Sequence, residues 1–324
     1  MSLAAGLRLR GIPVDVHEAG SYPRHRVCGE FISGVEGSTF EYLGIEDSFA
    51  DALHHREVKW FREGRLILEN ELPTPAAGIS RYRLDQRLKD RVIDLGGTVH
   101  ERSRFPRKAR EGLVWAAGRI PQRSSWIGLK CHFRKLAMSS DLEMHLGENG
   151  YVGLAGIENG EVNVCGLFKI YRGHEGRAAD LLYDYLTDGG NGLLVERLRA
   201  AERDDDSFSA VAGFELGRQC SLDELCTIGD AESMIPPFTG NGMSMAFQAA
   251  EIAVDPLLRW SRDAHAWNAT TCEIRSLLQR RFRRRLRVAS TLHPILIKKA
   301  GTAFIEAMSL AGVLPFKPLL SLVR

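Results

Sequence analysis

The residues best placed to do chemistry lie between Cys226 and Trp260. A short apolar strand over 225–228 stops at Gly229-Asp230, which leaves a carboxylate at a strand end. A rigid turn follows, Pro236-Pro237-Phe238-Thr239-Gly240-Asn241-Gly242. Behind it, Met243, Ala246, Phe247, Ala250 and Ala253 recur at helical spacing. Glycines at a helix start let bare backbone N–H groups approach a ligand, and those groups favour negative charge. A helix start of this design suits a planar ring that becomes anionic on reduction. Without a ligand, the same residues would make a strand–loop–helix unit that merely packs.

A second cluster is Ser21-Tyr22-Pro23-Arg24-His25-Arg26-Val27-Cys28-Gly29-Glu30-Phe31. A thiol near basic side chains is a candidate for a lowered pKa, and the arginines could offset phosphate charge. Packing as a small residue is the other reading of Cys28. Further on, Arg81-Tyr82-Arg83-Leu84-Asp85-Gln86-Arg87-Leu88 opens a helix that ends near Gly96-Gly97. Arg81 is either a ligand contact or a solvated side chain, while Leu84 and Leu88 pack.

Together these stretches resemble the FAD-dependent oxidoreductases of the geranylgeranyl reductase, flavin halogenase and aromatic hydroxylase superfamily. The carriers of the resemblance are the Cys-Gly-Glu loop, the strand Trp126-Ile127-Gly128-Leu129-Lys130, and the run from Gly229-Asp230 through Gly240-Asn241-Gly242-Met243. Leu113-Val114-Trp115-Ala116-Ala117-Gly118-Arg119 is similar to the element that closes over the dinucleotide. The resemblance implies cofactor contacts at Glu18, Arg26, Gly118, Gly229, Asp230, Pro237, Gly240, Asn241, Gly242 and Met243. It puts Cys28 and Arg81 beside the flavin as catalytic candidates, and Tyr151 and His132 in the substrate pocket. A half-buried core position is the competing reading of those last two.

The elements that must hold these residues follow in order. Residues 1–10 read as a helix body with Gly11 as its C-cap glycine. The strand over 12–17 ends on Glu18, the position of a ribose-binding acid in a dinucleotide fold. The strand and Gly-x-Gly-x-x-Gly turn that the resemblance implies before this helix are not in the sequence, and a short basic connector, 102–111, stands where a meander is expected. Strands alternate in 56–75 and again from 125 to 168, with Glu158-Asn159-Gly160-Glu161 as a hairpin turn. Residues 178–203 read as helical with a break at Gly189-Gly190-Asn191-Gly192, and Asp204-Asp205-Asp206 as a solvated loop. Beyond Trp260 the chain reads as helical to its end, with an apolar tail broken by Pro294, Pro315 and Pro318.

The expected fold is α/β: a doubly wound FAD/NAD(P)-binding domain, N-terminally incomplete, with an inserted antiparallel substrate sheet and C-terminal helices. Its parts are 1–55, 76–124 and 221–262 for the cofactor, 56–75 and 125–220 for the substrate, and 263–324 for the helices.

Composition sets the limits. The chain has 324 residues, 44% hydrophobic and 26% charged, and a net charge of +2 that by itself implies no polyanion partner. Six cysteines without Cys-x-x-Cys or zinc-like spacing are expected as free thiols in a reducing cytoplasm, with no metal site. The basic run Gln279 to Arg287 reads as an exposed helix face with Phe282 and Leu286 buried, so no nucleic acid is expected.

The implied activity is flavin redox on a small or lipid-like organic substrate, by hydride transfer or oxygen activation, with NAD(P)H as electron donor. The C-terminal tail either caps the substrate pocket or touches a lipid surface as a peripheral membrane contact. The alternative is a non-catalytic remnant of the fold that no longer holds FAD tightly.

Overall fold

The computed structural model describes residues 1–170, 180–219 and 224–323; Ala178, where a helix is expected to start, and Cys220 lie outside them. In chain order the first elements are α1 (Ser2–Arg8), β1 (Asp15–His17), β2 (Phe31–Ile32), α2 (Gly37–Leu43), β3 (Leu53–Arg62), β4 (Arg65–Gly78), α3 (Arg81–Asp94), β5 (Thr98–His100) and β6 (Val114–Trp115). Next come β7 (Trp126–Arg134), β8 (Leu142–Leu146), β9 (Gly150–Gly156), β10 (Glu161–Lys169), α4 (Leu181–Asp188), α5 (Gly192–Ala200) and β11 (Glu202–Ala212). The remainder is β12 (Gly217–Arg218), β13 (Cys226–Thr227), β14 (Ser233–Met234), α6 (Gly242–Ser261), α7 (Trp267–Leu296), α8 (Lys299–Leu310) and α9 (Phe316–Leu322).

One sheet holds eight strands in the order β11-β7-β10-β9-β8-β3-β4-β2. Every pairing in it is antiparallel except β3 with β8. Successive side chains of a strand point to opposite faces, and this sheet uses the two faces differently. On one face Leu129, Cys131, Phe133, Val152, Leu154, Val162 and Val164 pack against Leu182, Leu186, Leu194 and Leu198 of α4 and α5. The alternate residues Lys130, His132, Tyr151, Asn163 and Cys165 therefore belong to the other face. Register agrees: Asn163 pairs with His132, Cys165 with Lys130, and Leu167 with Tyr151.

Outside the large sheet, parallel pairing occurs in two short pairs, β1 with β5 and β13 with β6. Around them α1, α3, α6 and α7 bury Leu3, Leu7, Leu84, Leu88, Val92, Phe247, Val254 and Leu278 in one apolar cluster. α3 is held at its start by Ser80, whose Oγ accepts the Arg83 N–H at 3.1 Å as an N-cap should.

Three local expectations are corrected. Asp204-Asp205-Asp206 lies inside β11, where the register against β7 breaks between Asp204 and Ser209; the run bulges from the ladder, so Asp205 and Asp206 stay exposed although the backbone is a strand. α7 runs through Pro294 to Leu296, so this proline does not break the helix where a break is expected. On the basic part of α7 Phe282 is buried and Arg280, Arg281, Arg283, Arg284 and Arg287 are exposed as expected, but Arg285 is buried and donates to Gln248 Oε1 at 2.9 Å. Among the described residues no helix is long and apolar enough to cross a membrane.

Candidate functional site

Three strand ends converge on the same region. Glu18 follows β1, and its N–H bonds the His100 carbonyl at 2.9 Å. Gly118 and Asp230 each stand three positions past the paired Trp115 and Thr227, so both loops leave the carboxyl end of the β6–β13 pair. That end is where open α/β sheets bind ligands. Gly118 has φ 81°, and a Cβ there would meet nothing.

The turn before α6 is shaped by its glycines. Gly240 has φ 65°, and a Cβ on it would come 2.8 Å from the Phe31 ring. Gly242 faces open space instead. Asn241 is the N-cap residue but its side chain does not cap; Nδ2 donates to the Val323 carbonyl at 2.6 Å. The first amides of a 20-residue helix are thus left without a side-chain acceptor. Asp230 is exposed and its carboxylate meets no donor among the described residues. Desolvation by the surrounding protein nevertheless pushes it up to about 6, opposed only by Arg81. The carboxyl is thus open to solvent at its surface and crowded by protein atoms on its other sides. A narrow cavity continues from it between Gly229, Ser233, Gly242, Met245, Leu278 and Phe282.

The Cys-Gly-Glu loop crosses the polar face of the large sheet. Asn163 Nδ2 donates to the Cys28 carbonyl at 3.0 Å, and Cys28 Sγ lies 3.4 Å from Met243 Sδ. Burial pushes the Cys28 thiol up, and the neighbouring Arg81 guanidinium offsets this only in part. The expectation of a lowered pKa is corrected: the cation beside the thiol is Arg81, and desolvation outweighs it. Arg81 is itself held by Asp85 through two bonds of 2.7 and 2.8 Å.

Glu30 is fully buried at φ 52°, a left-handed backbone that a non-glycine residue adopts only under constraint. Its Oε1 accepts the Arg81 N–H at 2.9 Å, and its Oε2 stands 2.6 Å from His132 Nε2. Lys130, also fully buried, reaches 3.4 Å from Glu30 and 3.1 Å from His25 Nδ1. Burial raises the Glu30 carboxyl, but the His132 hydrogen bond and the Lys130 charge more than reverse this and leave it below the usual range.

At the other end, Glu18 is fully engaged by its own chain. Oε1 accepts from Gly20 N and Arg24, and Oε2 from Tyr22 and Arg26, at 2.6 to 3.2 Å. Arg26 also reaches Asp85 at 3.4 Å, so a continuous line of charges runs from Glu18 to Arg81. Tyr151 is buried and accepts the Phe238 N–H on its hydroxyl at 3.1 Å.

The structure thus joins Cys28, Arg81, Met243, Asp230 and His132 in one cluster, links Glu18 and Arg26 to it through Asp85, and ties Tyr151 to the turn beside Pro237. Gly118 shares only the strand end. His132 is tied to Glu30 rather than left free. Lys130, His25 and His293 are additions; a lysine inside the apolar run Trp126–Phe133 is the one sequence sign of them. Among the described residues no three His, Cys, Asp or Glu side chains come together to hold a metal ion.

The residues fit a flavin at one end. Asp230 lacks donors that a hydroxylated chain supplies, and the open side of Gly242 leaves α6 amides for a ring edge. At the adenosine end Glu18 is already hydrogen-bonded, and only Arg24 and Arg26 offer charge to a phosphate.

No protein-family model matches the chain, and no curated protein matches it. Solved structures do match in fold. p-Nitrophenol 4-monooxygenase PnpA from Pseudomonas putida DLL-E4 superposes with a TM-score of 0.75 at 11% identity, over 99% of this chain and 93% of that one. Klebsiella pneumoniae HpxO complexed with FAD and uric acid gives 0.75 at 16%, over 99% and 93%. PqsL of Pseudomonas aeruginosa, a probable FAD-dependent monooxygenase, gives 0.68 at 13%, over 94% and 95%. At these identities the likeness is one of fold.

Proposed function

We propose that this chain is an FAD-dependent oxidoreductase that acts on a small or lipid-like organic substrate. The observation that carries the reading is Asp230: an exposed carboxylate that meets no donor among the described residues, at a narrow cavity beside the uncapped first turn of α6. When bound, the flavin supplies two-electron chemistry, either hydride transfer to an alkene, as in geranylgeranyl reductases, or activation of oxygen for hydroxylation.

The chain's own residues bind and orient. Asp230 accepts hydrogen bonds from the hydroxyls of the ribityl chain. The Gly242 and Met243 amides, at the positive end of α6, favour negative charge on the ring. Arg24 and Arg26 offset phosphate charge, while Arg81, held by Asp85, stands beside Cys28 at the ring. Cys28, kept as a thiol by its burial, packs against Met243 beside the ring without acting as a base. The polar face of the large sheet, with Tyr151, excludes water on the substrate side. The fold neighbours, whose names or bound ligands include p-nitrophenol and uric acid, favour a small planar substrate and the oxygen-activating branch. NAD(P)H is the electron donor in this reading, and the free thiols among the described residues suit a reducing cytoplasm. No nucleic-acid partner enters it.

The second reading is a remnant of the fold without tight FAD binding. It is favoured by Glu18, whose two oxygens are both taken by Gly20, Tyr22, Arg24 and Arg26. A visible absorption spectrum of the purified protein, before and after incubation with FAD and desalting, separates the two. A retained flavin band supports the oxidoreductase; a colourless protein after incubation supports the remnant.

A further inference from the structure

His293, in the last turn of α7, is 6% exposed. Three aromatic rings wall it: Trp126 at 5.3 Å, Tyr151 edge-on at 6.0 Å, and Phe238 at 6.2 Å with its plane only 11° from that of the imidazole. Within these walls its Nε2 has no hydrogen-bond partner among the described residues. A buried polar nitrogen left unpaired is costly and uncommon in native proteins, and it calls for a partner that arrives from outside. The Tyr151 hydroxyl, which accepts from Phe238 N, has no acceptor for its own proton among the described residues.

The surroundings define that partner. Burial alone pushes His293 down to about 4, so at neutral pH the ring is uncharged. A carboxylate entering here would find no cation, whereas a hydroxyl or carbonyl finds a nitrogen and a hydroxyl ready to bond it. Trp126 and Phe238 are half-buried while His293 and Tyr151 are buried, so the group has an inner polar end and an outer aromatic end. Phe238 precedes Thr239-Gly240 in the turn before α6, which puts this aromatic cluster beside the place assigned to the flavin.

We propose that His293 Nε2 is the substrate-binding group for a neutral hydroxyl or carbonyl carried by a planar apolar molecule, which enters polar end first between Trp126 and Phe238. The relevance of this site to catalysis rests on the flavin reading; the binding itself does not. Specificity follows from it: an uncharged polar substituent is selected, and a bare hydrocarbon or an anionic ring is rejected.

Equilibrium dialysis of the full chain, as purified and after FAD loading, against 2-naphthol and naphthalene tests the proposal. Wild type is expected to bind 2-naphthol about tenfold or more tightly than naphthalene, the gain from satisfying one buried orphan group. H293F should lose that preference and H293Q retain part of it. Equal binding of the two probes, binding of neither, or a preference that survives in H293F overturns the proposal. If H293F does not fold, nitrogen NMR of histidine-labelled wild type decides: 2-naphthol should move one imidazole resonance that is missing from H293Q, and an unmoved set overturns the site. A colourless protein with the preference overturns the flavin reading and leaves this site standing; a yellow one without it does the reverse.

Discussion

The backbone N–H of Phe238 donates to the Tyr151 hydroxyl at 3.1 Å, so the Pro-rich turn before α6 is bonded directly to strand β9 of the large sheet. This one bond couples the turn assigned to a cofactor with the face assigned to a substrate. Tyr151→Phe leaves the Phe238 N–H unpaired and is expected to cost about 1 kcal/mol in a urea unfolding titration. A larger effect on substrate turnover than on stability would show that the turn's position, and not only its order, depends on this hydroxyl; an unchanged unfolding midpoint would show that the bond contributes nothing.

Glu30 is the counter-ion of the buried Lys130 and the partner of His132. Glu30→Gln leaves a buried cation uncompensated and is expected to destabilise by about 3 kcal/mol or more. Adding Lys130→Met should recover much of the loss, as a double-mutant cycle will measure. Because the Glu30 carboxyl lies below its ordinary value, its contribution is present above the unfolded-state pKa and fades as pH falls through the folded one. The wild-type advantage over Glu30→Gln should therefore hold at neutral pH and shrink on acidification.

Asp230 has the opposite sign. Its carboxyl is raised to about 6, so the ligand-free protein loses stability as pH rises from the usual carboxylate range through about 6. Hydroxyl donors from a ligand favour the charged form. FAD affinity should thus tighten across that window, and Asp230→Asn should flatten both trends. A pH-independent affinity in the wild type would rule out direct contact with Asp230.

Gly240 and Gly242 separate folding from binding. Gly240→Ala forces a Cβ into the left-handed region 2.8 Å from the Phe31 ring and should cost about 1–3 kcal/mol of stability. Gly242→Ala meets nothing within 4 Å and should leave the melting temperature unchanged or slightly raised, while weakening flavin uptake. Equal flavin affinity in Gly242→Ala and wild type would move the ring away from this turn.

Arg285 is buried, bonded to Gln248 and faced by no carboxylate among the described residues, and desolvation lowers it to about 10. Arg285→Met is expected to stabilise the protein by about 1–3 kcal/mol at pH 7, with the difference holding up to about pH 10 and shrinking only above it, as the folded-state guanidinium loses its proton. Destabilisation at neutral pH would mean that the Gln248 bond outweighs the desolvation.

Much of this arrangement was legible in the sequence because it is local. The segments 142–146, 151–155 and 162–168 read as strands and are β8, β9 and β10, with Glu158-Asn159-Gly160 as the turn between the last two. The strand–turn–helix from Cys226 to Trp260 was written in its glycines and prolines. What stayed hidden is long-range. Alternation puts His132 and Lys130 on a face but cannot say that Glu30, about a hundred residues earlier, meets them there. Nor can spacing reveal that Arg24 and Arg26 would fold back on Glu18, or that desolvation would outweigh the cation beside Cys28. His293 gave no signal at all, since one histidine in a basic, apolar tail looks like any other helix residue.

The central claim is that a flavin ring lies against the backbone around Gly240 to Met243 with Asp230 bonding its side chain. Its most direct test is an FAD titration of wild type and Asp230→Ala, followed by quenching of flavin fluorescence. The account predicts saturable binding to the wild type and affinity at least about tenfold weaker in the variant, the loss of charge-assisted hydrogen bonds. No saturable binding to the wild type, or the same affinity in both, would contradict it.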